Sequence, residues 1–432
     1  MARRLDARKA GFESEFAALI GAKRETEEDV ALAVREIIAD VRARGDAALI
    51  ELSEKFDRVR LTPDTLKVAA AEIDGAETSC TKQAREALDL AARRIEAYHR
   101  RQLPKDEWFT DDTGAKLGWR WTRLDSVGLY VPGGTAAYPS SVLMNAVPAR
   151  VAGVSRIVMV TPASGGAINP LVLAAARRAG VSEIYRIGGA QAIAALAFGT
   201  ATIAPVDKVV GPGNAYVAAA KREVFGHVGI DSVAGPSEIL VVADKDNNPD
   251  WIAADLLSQA EHDVSSQSIL ITDDEAFAAQ VEASIVRALA LLPRKEIASA
   301  SWNDHGAVIL VERLGDAAPL VDRIAPEHLE IATAAPDALL KRVKHAGAIF
   351  LGRNTPEAMG DYIAGPNHVL PTARTARFSS GLSVLDFVKR TTLLACEPST
   401  IARLGPDAIA LAEAEGLDAH ARSIAARLNL KS

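Results

Sequence analysis

From Arg156 onward the chain alternates short apolar runs with amphipathic helical stretches, and nothing else in the sequence constrains the fold so strongly. "RIVMVTPAS" is an apolar run closing in small and turn residues, and the helical "NPLVLAAARRAG" follows it. "EIYRIGG", the helix "AQAIAALAFG", the strand "VDKVVGPG" and the helix "NAYVAAAKREVFG" continue the pattern. Strands that return through helices run parallel, and a parallel sheet needs helices over both faces. A second series starts at "SEILVVADKD" (237–246). It passes through the helix ending "DLLSQAEHD", the strand "SQSILITDD", a helix near 275–291, the strand "GAVILVE", another helix and the strand "GAIFLG". The expected class is α/β, with two such units.

The flanks read differently. Residues 1–60 read as helices: "TEEDVALAVREIIADVRARGDAAL" has apolar residues at helical spacing, acidic residues in its opening turn, and Gly45 as a break. A long charged helix, "TKQAREALDLAARRIEAYHRRQ", follows from about Thr81, and a helical tail follows Gly381. At 432 residues the chain is too long for one ordinary core. No repeat or low-complexity linker separates the two units, and the missing linker near 230–237 points to one unit inserted within the other.

Composition excludes several classes. Hydrophobic residues at 49% and charged residues at 24% describe a globular chain rather than a disordered one. A net charge of −7 argues against nucleic acid as main partner, since phosphate binding needs a basic surface. Two cysteines, Cys80 and Cys396, support neither a disulfide framework nor a thiolate zinc cluster. No apolar run reaches the roughly 20 residues of a membrane span. Glu13 and Glu15 precede any long apolar stretch, which argues against a secretory signal. The expected location is the cytoplasm.

In open α/β sheets ligands collect beyond the carboxyl ends of the strands. Here those ends read "GLYVPGGTAAYP", "VTPASGG", "RIGGAQ" and "VVGPGNAY". Gly and Pro there let backbone approach a ligand, and two ends lead straight into a helix N-terminus, which suits a nucleotide or phosphate. Ordinary αβ turns are the plainer alternative, and neither G-x-G-x-x-G nor G-x-x-x-x-G-K-[ST] is present. The second unit holds the titratable groups. Gln259 and His262, three apart, share a helix face; Asp361 and His368 sit in "MGDYIAGPNHVLPT"; His420 sits in "EGLDAH". Together they offer nitrogen and oxygen ligands for an ion of zinc type. Singly each is weak, because a lone helical histidine is more often a surface or hydrogen-bonded residue. "DRIAPEHLEIAT" sets Glu327 against His328 at the end of an expected helix. A carboxylate can take a proton from water while the imidazole exchanges protons with a substrate oxygen, but on a strand two neighbours point to opposite sides. A helix C-terminus with a histidine at its negative end is the plainer reading.

Eight blocks then fall into one order. "GLYVPGGTAAYPSSVLMN", "GGAQAIAALAFGT", "VVGPGNAYV", "DSVAGPSEILVVAD", "SQAEHD", "APEHLEI", "GDYIAGPNHVLPT" and "EGLDAH" resemble, in order and spacing, the histidinol dehydrogenase family over nearly the whole chain. The resemblance implies oxidation of L-histidinol to L-histidine with two NAD through a bound aldehyde-level intermediate. It implies zinc on Gln259, His262, Asp361 and His420, with Glu327 activating water and His328 as general base. It puts Ser237, Gln259, His262, His328, Asp361, His368, Glu415 and His420 on the substrate, and NAD over Tyr130, Gln191 and Asn214. It further implies two incomplete Rossmann-like domains, one inserted in the other, and an intertwined homodimer whose tail carries Glu415 and His420 into the partner's site. The expected division is a helical extension 1–25, a discontinuous metal and catalytic domain 26–129 plus 237–381, an inserted NAD domain 130–236, and a helical tail 382–432. Cys80 and Cys396 lie outside every block, so no thiol is a candidate for holding the aldehyde covalently. The rivals are a zinc hydrolase, which leaves the Gly-rich strand ends without a role, a paralogue acting on another small amino alcohol or sulfonate, and a silent structural dimer.

Overall fold

The computed structural model describes residues 2–22, 28–133 and 138–429. Its strands in chain order begin with β1 (Arg3–Asp6), β2 (Glu107–Thr110), β3 (Lys116–Arg123), β4 (Ser126–Tyr130) and β5 (Arg156–Val160). Next come β6 (Glu183–Tyr185), β7 (Lys208–Val210), β8 (Gly229–Ile230), β9 (Glu238–Ala243) and β10 (Gln267–Thr272). The last are β11 (Ala307–Leu310), β12 (His328–Ala332), β13 (Ala348–Leu351) and β14 (Val388–Ala395).

A five-stranded parallel sheet runs β6-β5-β4-β7-β8, and a six-stranded parallel sheet runs β1-β11-β10-β9-β12-β13. Each turns back on itself beside its first long strand, β4 in one and β9 in the other. Each therefore has a switch point, between β4 and β7 and between β9 and β12. Strands such as β9, with all six residues buried, read as unbroken apolar runs because helices cover both faces.

Packing groups the chain differently from the expected division. Helices Glu28–Arg44 and Asp46–Asp57 bury Val34, Val41, Leu49 and Leu52 against the five-stranded sheet, together with helices Gly189–Phe198 and Ala215–Val224. Helix Lys82–Arg100 packs Leu88, Ala91 and Ile95 on the opposite face with helices Pro139–Ala152 and Pro170–Ala179. Residues 28–100 thus belong to the core of 126–230, not to that of 237–381, because their apolar stripes meet Val158, Val160, Val142 and Leu143 there. The first residues are not a free helical extension either. β1 adds a parallel edge strand to β11, and helix Phe12–Gly21 buries Phe12, Phe16 and Leu19 on that sheet. The expected edge between residues 25 and 26 lies outside the described residues, as do Gly134 to Ala137 of the first Gly-rich strand end.

The tail departs from the all-helical expectation too. β14 pairs antiparallel with β3 from Val388↔Arg123 to Ala395↔Lys116, and β2 completes a three-stranded sheet. Helices Pro398–Ala414 and Asp418–Ala425 follow it. "IAPEHLEI" also differs from expectation. Helix Ala317–Ile324 ends in left-handed Ala325 (φ 47°), and His328 opens β12, a buried strand between β9 and β13.

Candidate active site

A cleft of about 1300 Å³ lies between the two sheets. One wall comes from the carboxyl ends of the five-stranded sheet, through Pro132 after β4 and Pro212, Gly213 and Asn214 after β7. That is the switch point of this sheet, where a ligand crevice is expected. The other wall comes from the amino ends of the six-stranded sheet. Ser237 precedes β9, Glu327 precedes β12, and His328 is its first residue. Gln259 and His262 arrive at the C-terminus of helix Pro249–Ala260, while Asp361 and His368 come from helix Glu357–Tyr362 and the loop after it. The second sheet thus reverses the rule drawn from its strand ends. Around the carboxyl ends of β9 and β12, Asp244 binds Arg353 at 2.7 Å and Asn247 donates to the Ala332 carbonyl at 2.6 Å.

The two walls carry opposite backbone fields. Helix Ala215–Val224 presents its N-terminus to the cleft, with the Asn214 side chain accepting from Val217 N at 3.1 Å. Helix Pro249–Ala260 presents its C-terminus. The first favours anionic groups and the second favours cations.

Glu327 and His328 both line the cleft although they are neighbours, because Glu327 precedes the regular strand. The Glu327 carboxylate accepts the Glu238 amide at 2.9 Å, and the Glu238 carboxylate accepts the Glu327 amide at 3.3 Å. His328 Nδ1 donates to the Glu238 carbonyl at 3.0 Å. That leaves Nε2 facing Asp361 Oδ1 at 3.7 Å and Glu357 Oε1 at 3.8 Å. Burial raises the Glu327 carboxyl to about 7, against the pull of the His328 charge. Burial alone would depress His328, but the carboxylates of Glu327, Asp361 and Glu357 outweigh it and hold the imidazolium up to about 10. Burial also works to raise Asp361, yet its contacts with His328 and His368 bring it well below the usual carboxylate range. His262 and His368 are both depressed, chiefly by burial. His368 is oriented by donating Nδ1 to the Asp361 carbonyl at 2.9 Å, and His262 Nδ1 lies 3.5 Å from Ser237 Oγ.

Among the described residues, one group of histidine and acidic side chains brings its ligand atoms within 4.8 Å of one another: His328, Glu357 and Asp361. Buried atoms there make no hydrogen bond, namely His328 Nε2, Glu357 Oε1 and both amide atoms of Gln259. A pocket of oriented nitrogen and oxygen donors with open valences fits a divalent ion of zinc type. Glu357 escaped sequence reasoning. It stands four residues before Asp361, one helical turn away on the same face, and that spacing in "PEAMGDY" was the available signal. Glu330 escaped as well. It accepts the Glu357 amide at 2.6 Å from inside β12, two residues beyond His328 on the same strand face.

The other expected residues are placed as follows. Asn214 lines the cleft, but Tyr130 and Gln191 are buried beneath the Gly-rich ends rather than among the described lining residues. The Tyr130 hydroxyl accepts the Gly189 amide at 3.1 Å. Glu415 and His420 are exposed on the tail and do not line the cleft of their own chain. Neither Cys80 nor Cys396 is among the lining residues.

Known proteins match this chain in sequence and in backbone path. A family model described as histidinol dehydrogenase matches residues 21–428. A protein of Bradyrhizobium diazoefficiens named histidinol dehydrogenase is 65% identical over 427 residues, 99% of each chain. One of the same name from Agrobacterium fabrum is 65% identical over all 432 residues and 100% of each chain. The crystal structure of histidinol dehydrogenase from Elizabethkingia anophelis superposes with a TM-score of 0.95 at 37% identity, covering 99% of this chain and 98% of that one. A match of this extent, in sequence and in the path of the backbone, leaves one assignment: the chain belongs to the histidinol dehydrogenase family.

Proposed function

We propose that this chain oxidises L-histidinol to L-histidine in two successive steps, each reducing one NAD, with a zinc-type ion fixing the substrate. One observation carries the reading: a single cleft joins a helix N-terminus and Gly-rich strand ends on one wall to Glu327, His328 and Asp361 on the other. The anion-favouring wall suits the dinucleotide pyrophosphate at Asn214, with Tyr130 and Gln191 supporting the loops beneath it. The opposite wall suits a cationic amine and an imidazole. Gln259, His262 and Asp361 would hold the ion with His420 of a second subunit, and Glu357 stands beside them. When bound, the ion supplies positive charge that anchors the substrate nitrogens and offsets the carboxylates around His328.

In the first step His328 Nε2 takes the alcohol proton, and bound NAD would supply the acceptor for the hydride that leaves the substrate carbon, giving the aldehyde. Its tautomer is set by the bond from Nδ1 to the Glu238 carbonyl. In the second, His328 returns that proton to the aldehyde oxygen while Glu327 takes one from the water whose oxygen adds to the aldehyde carbon, giving the hydrate. The freed His328 Nε2 then takes one hydroxyl proton of the hydrate and solvent the other, and a second bound NAD would supply the hydride acceptor, leaving the carboxylate. Ser237, His368 and, from the partner, Glu415 would contact the substrate and exclude bulk water. The chain would work in the cytoplasm; among the described residues, no helix is long and apolar enough to cross a membrane.

The deciding measurement is NADH formed per L-histidinol consumed, with and without prior chelation. Two NADH per substrate, lost on chelation and restored by zinc, is the expected result. No NADH from histidinol in folded, zinc-loaded protein would overturn the reading and start a screen of other amino alcohols.

A further inference from the structure

Among the described residues, Lys221 is the fully buried Lys or Arg, and neither the proposed chemistry nor the sequence motifs use it; its side chain is 2% exposed. It sits in helix Ala215–Val224 and forms a close ion pair with Asp231, itself 4% exposed, in the segment leaving β8. Both partners also grip one residue. Lys221 Nζ donates to the Gly211 carbonyl at 3.0 Å, and the Asp231 carboxylate accepts the Gly211 amide at 2.8 Å. Asp231 is tied to the sheet in turn, its amide donating to the Val209 carbonyl at 3.3 Å.

Gly211 is the first residue beyond β7 and opens the Pro212–Gly213–Asn214 wall of the cleft. Its φ of +111° is one that side chains rarely adopt, and a Cβ there would come within 2.2 Å of the Tyr130 carbonyl oxygen. An ion pair taken wholly out of water is a poor way to stabilise a fold, since an apolar pair of similar volume usually serves as well. What such a pair does supply is direction. Here it supplies both backbone hydrogen bonds of a single residue at the switch point of the sheet, where regular ladder bonding ends.

We propose that Lys221 and Asp231 are positioning residues for the dinucleotide: they lock Gly211, and through it the Gly211–Asn214 turn, in the binding shape before the cofactor arrives. The inference rests on the reading that NAD lies against this turn. Pre-set loops bind tightly because less order is imposed on binding. Removing the pair should therefore weaken NAD while leaving the metal and histidinol wall intact.

The test is the double variant Lys221→Met/Asp231→Leu, which removes both charges together and leaves neither one buried alone. The expected result is a KM for NAD raised at least tenfold, with kcat, zinc content and histidinol affinity close to those of the parent. The neutral polar pair Lys221→Gln/Asp231→Asn, able to make both bonds to Gly211, should recover most of the NAD affinity. Unchanged NAD affinity in the apolar pair overturns the proposal, as does equal loss of histidinol and NAD affinity, which marks a general structural role. Asn214→Asp, which sets a negative charge at the turn, tells the two readings apart. If it weakens NAD and the apolar pair does not, the positioning role alone falls; if neither does, the dinucleotide reading of this wall falls with it. Should the apolar pair not fold, hydrogen exchange on the parent decides. Slow exchange over 209–216 without NAD supports the lock, and fast exchange that slows only when NAD is added overturns it.

Discussion

In the proposed chemistry two adjacent residues, Glu327 and His328, carry the proton transfers, and burial makes their protons sensitive to everything around them. Glu327 rises from 4.5 to about 7 chiefly through burial, so its ionised form, the one the proposal needs to activate water, grows as pH passes that value. NADH formation from supplied L-histidinal should accordingly climb with pH through about 7, and the climb should be absent in Glu327→Gln. That variant should retain partial oxidation of the alcohol to the aldehyde while aldehyde oxidation falls by about 100-fold or more, in the range of a lost general base. Full conversion at the parental rate would remove the assigned role. The same groups govern stability. His328 is raised from 6.5 to about 10, so its contribution is complete below 6.5 and is lost as pH rises through about 10. Glu327, also raised, acts in the same direction between 4.5 and about 7. Chelator-treated protein should lose on the order of a few kcal/mol between neutral and alkaline pH. Thermal scans should show that slope flattened in His328→Asn. At this scale the sequence was informative, since Gln259, His262, Glu327, His328, Asp361 and His368 all reach the cleft or its wall. Glu238, Glu330 and Glu357 were not legible, because a glutamate in a strand or a short helix looks solvated until its neighbours are known.

Among elements, β12 and helix Glu357–Tyr362 work as one part. The helix has only six residues, too few to hold itself, and its Glu357 amide is received by Glu330 inside β12. Asp255 raises Glu330 further after burial, so the two carboxyls sit close with one proton favoured between them. The Ser258 hydroxyl donates to Glu357 at 3.1 Å and ties the same helix to Pro249–Ala260. The arrangement aligns Asp361 and Glu357 with Gln259, so loss of the Glu330 acceptor should reach the proposed metal site. Glu330→Ala should weaken zinc about 10- to 100-fold, the scale of support behind a metal ligand, whereas Glu330→Gln keeps an acceptor and should weaken it much less. Zinc per chain after dialysis against graded chelator reads this directly, and equal retention in both variants would refute the link. The elements most visible in the sequence were those with continuous apolar runs, such as β5, β9 and β10. β1 reads "RRLD" and β14 reads "VKRTTLLA", mostly exposed, and each exists because a partner strand is present. β12 was hidden because His328 and Glu330 interrupt its apolar pattern.

Across the whole molecule, one chain presents the cleft, and the tail that carries Glu415 and His420 does not line it. His420 and Glu415 are exposed, and the tail and its small sheet leave Leu394, Leu411 and Trp108 exposed at 65%, 67% and 47%. The alternation of strands and helices made the two sheets legible from sequence. Which helices cover which sheet was not, because an apolar stripe does not say what it faces: residues 28–100 joined the five-stranded core through contacts far apart in the chain. The same limit applies to the tail, which the proposal sends to a second subunit. If His420 completes the metal site of the partner, His420→Asn should lose zinc and activity together in the homodimer. A mixed dimer of His420→Asn and His328→Asn subunits then contains one site in which every residue is parental. It should regain up to about half of the parental activity per dimer, since one of its two sites is whole and the other carries both substitutions. Verified heterodimers without activity would show that each chain completes its own site, and the tail would then have to fold back over the cleft it now leaves.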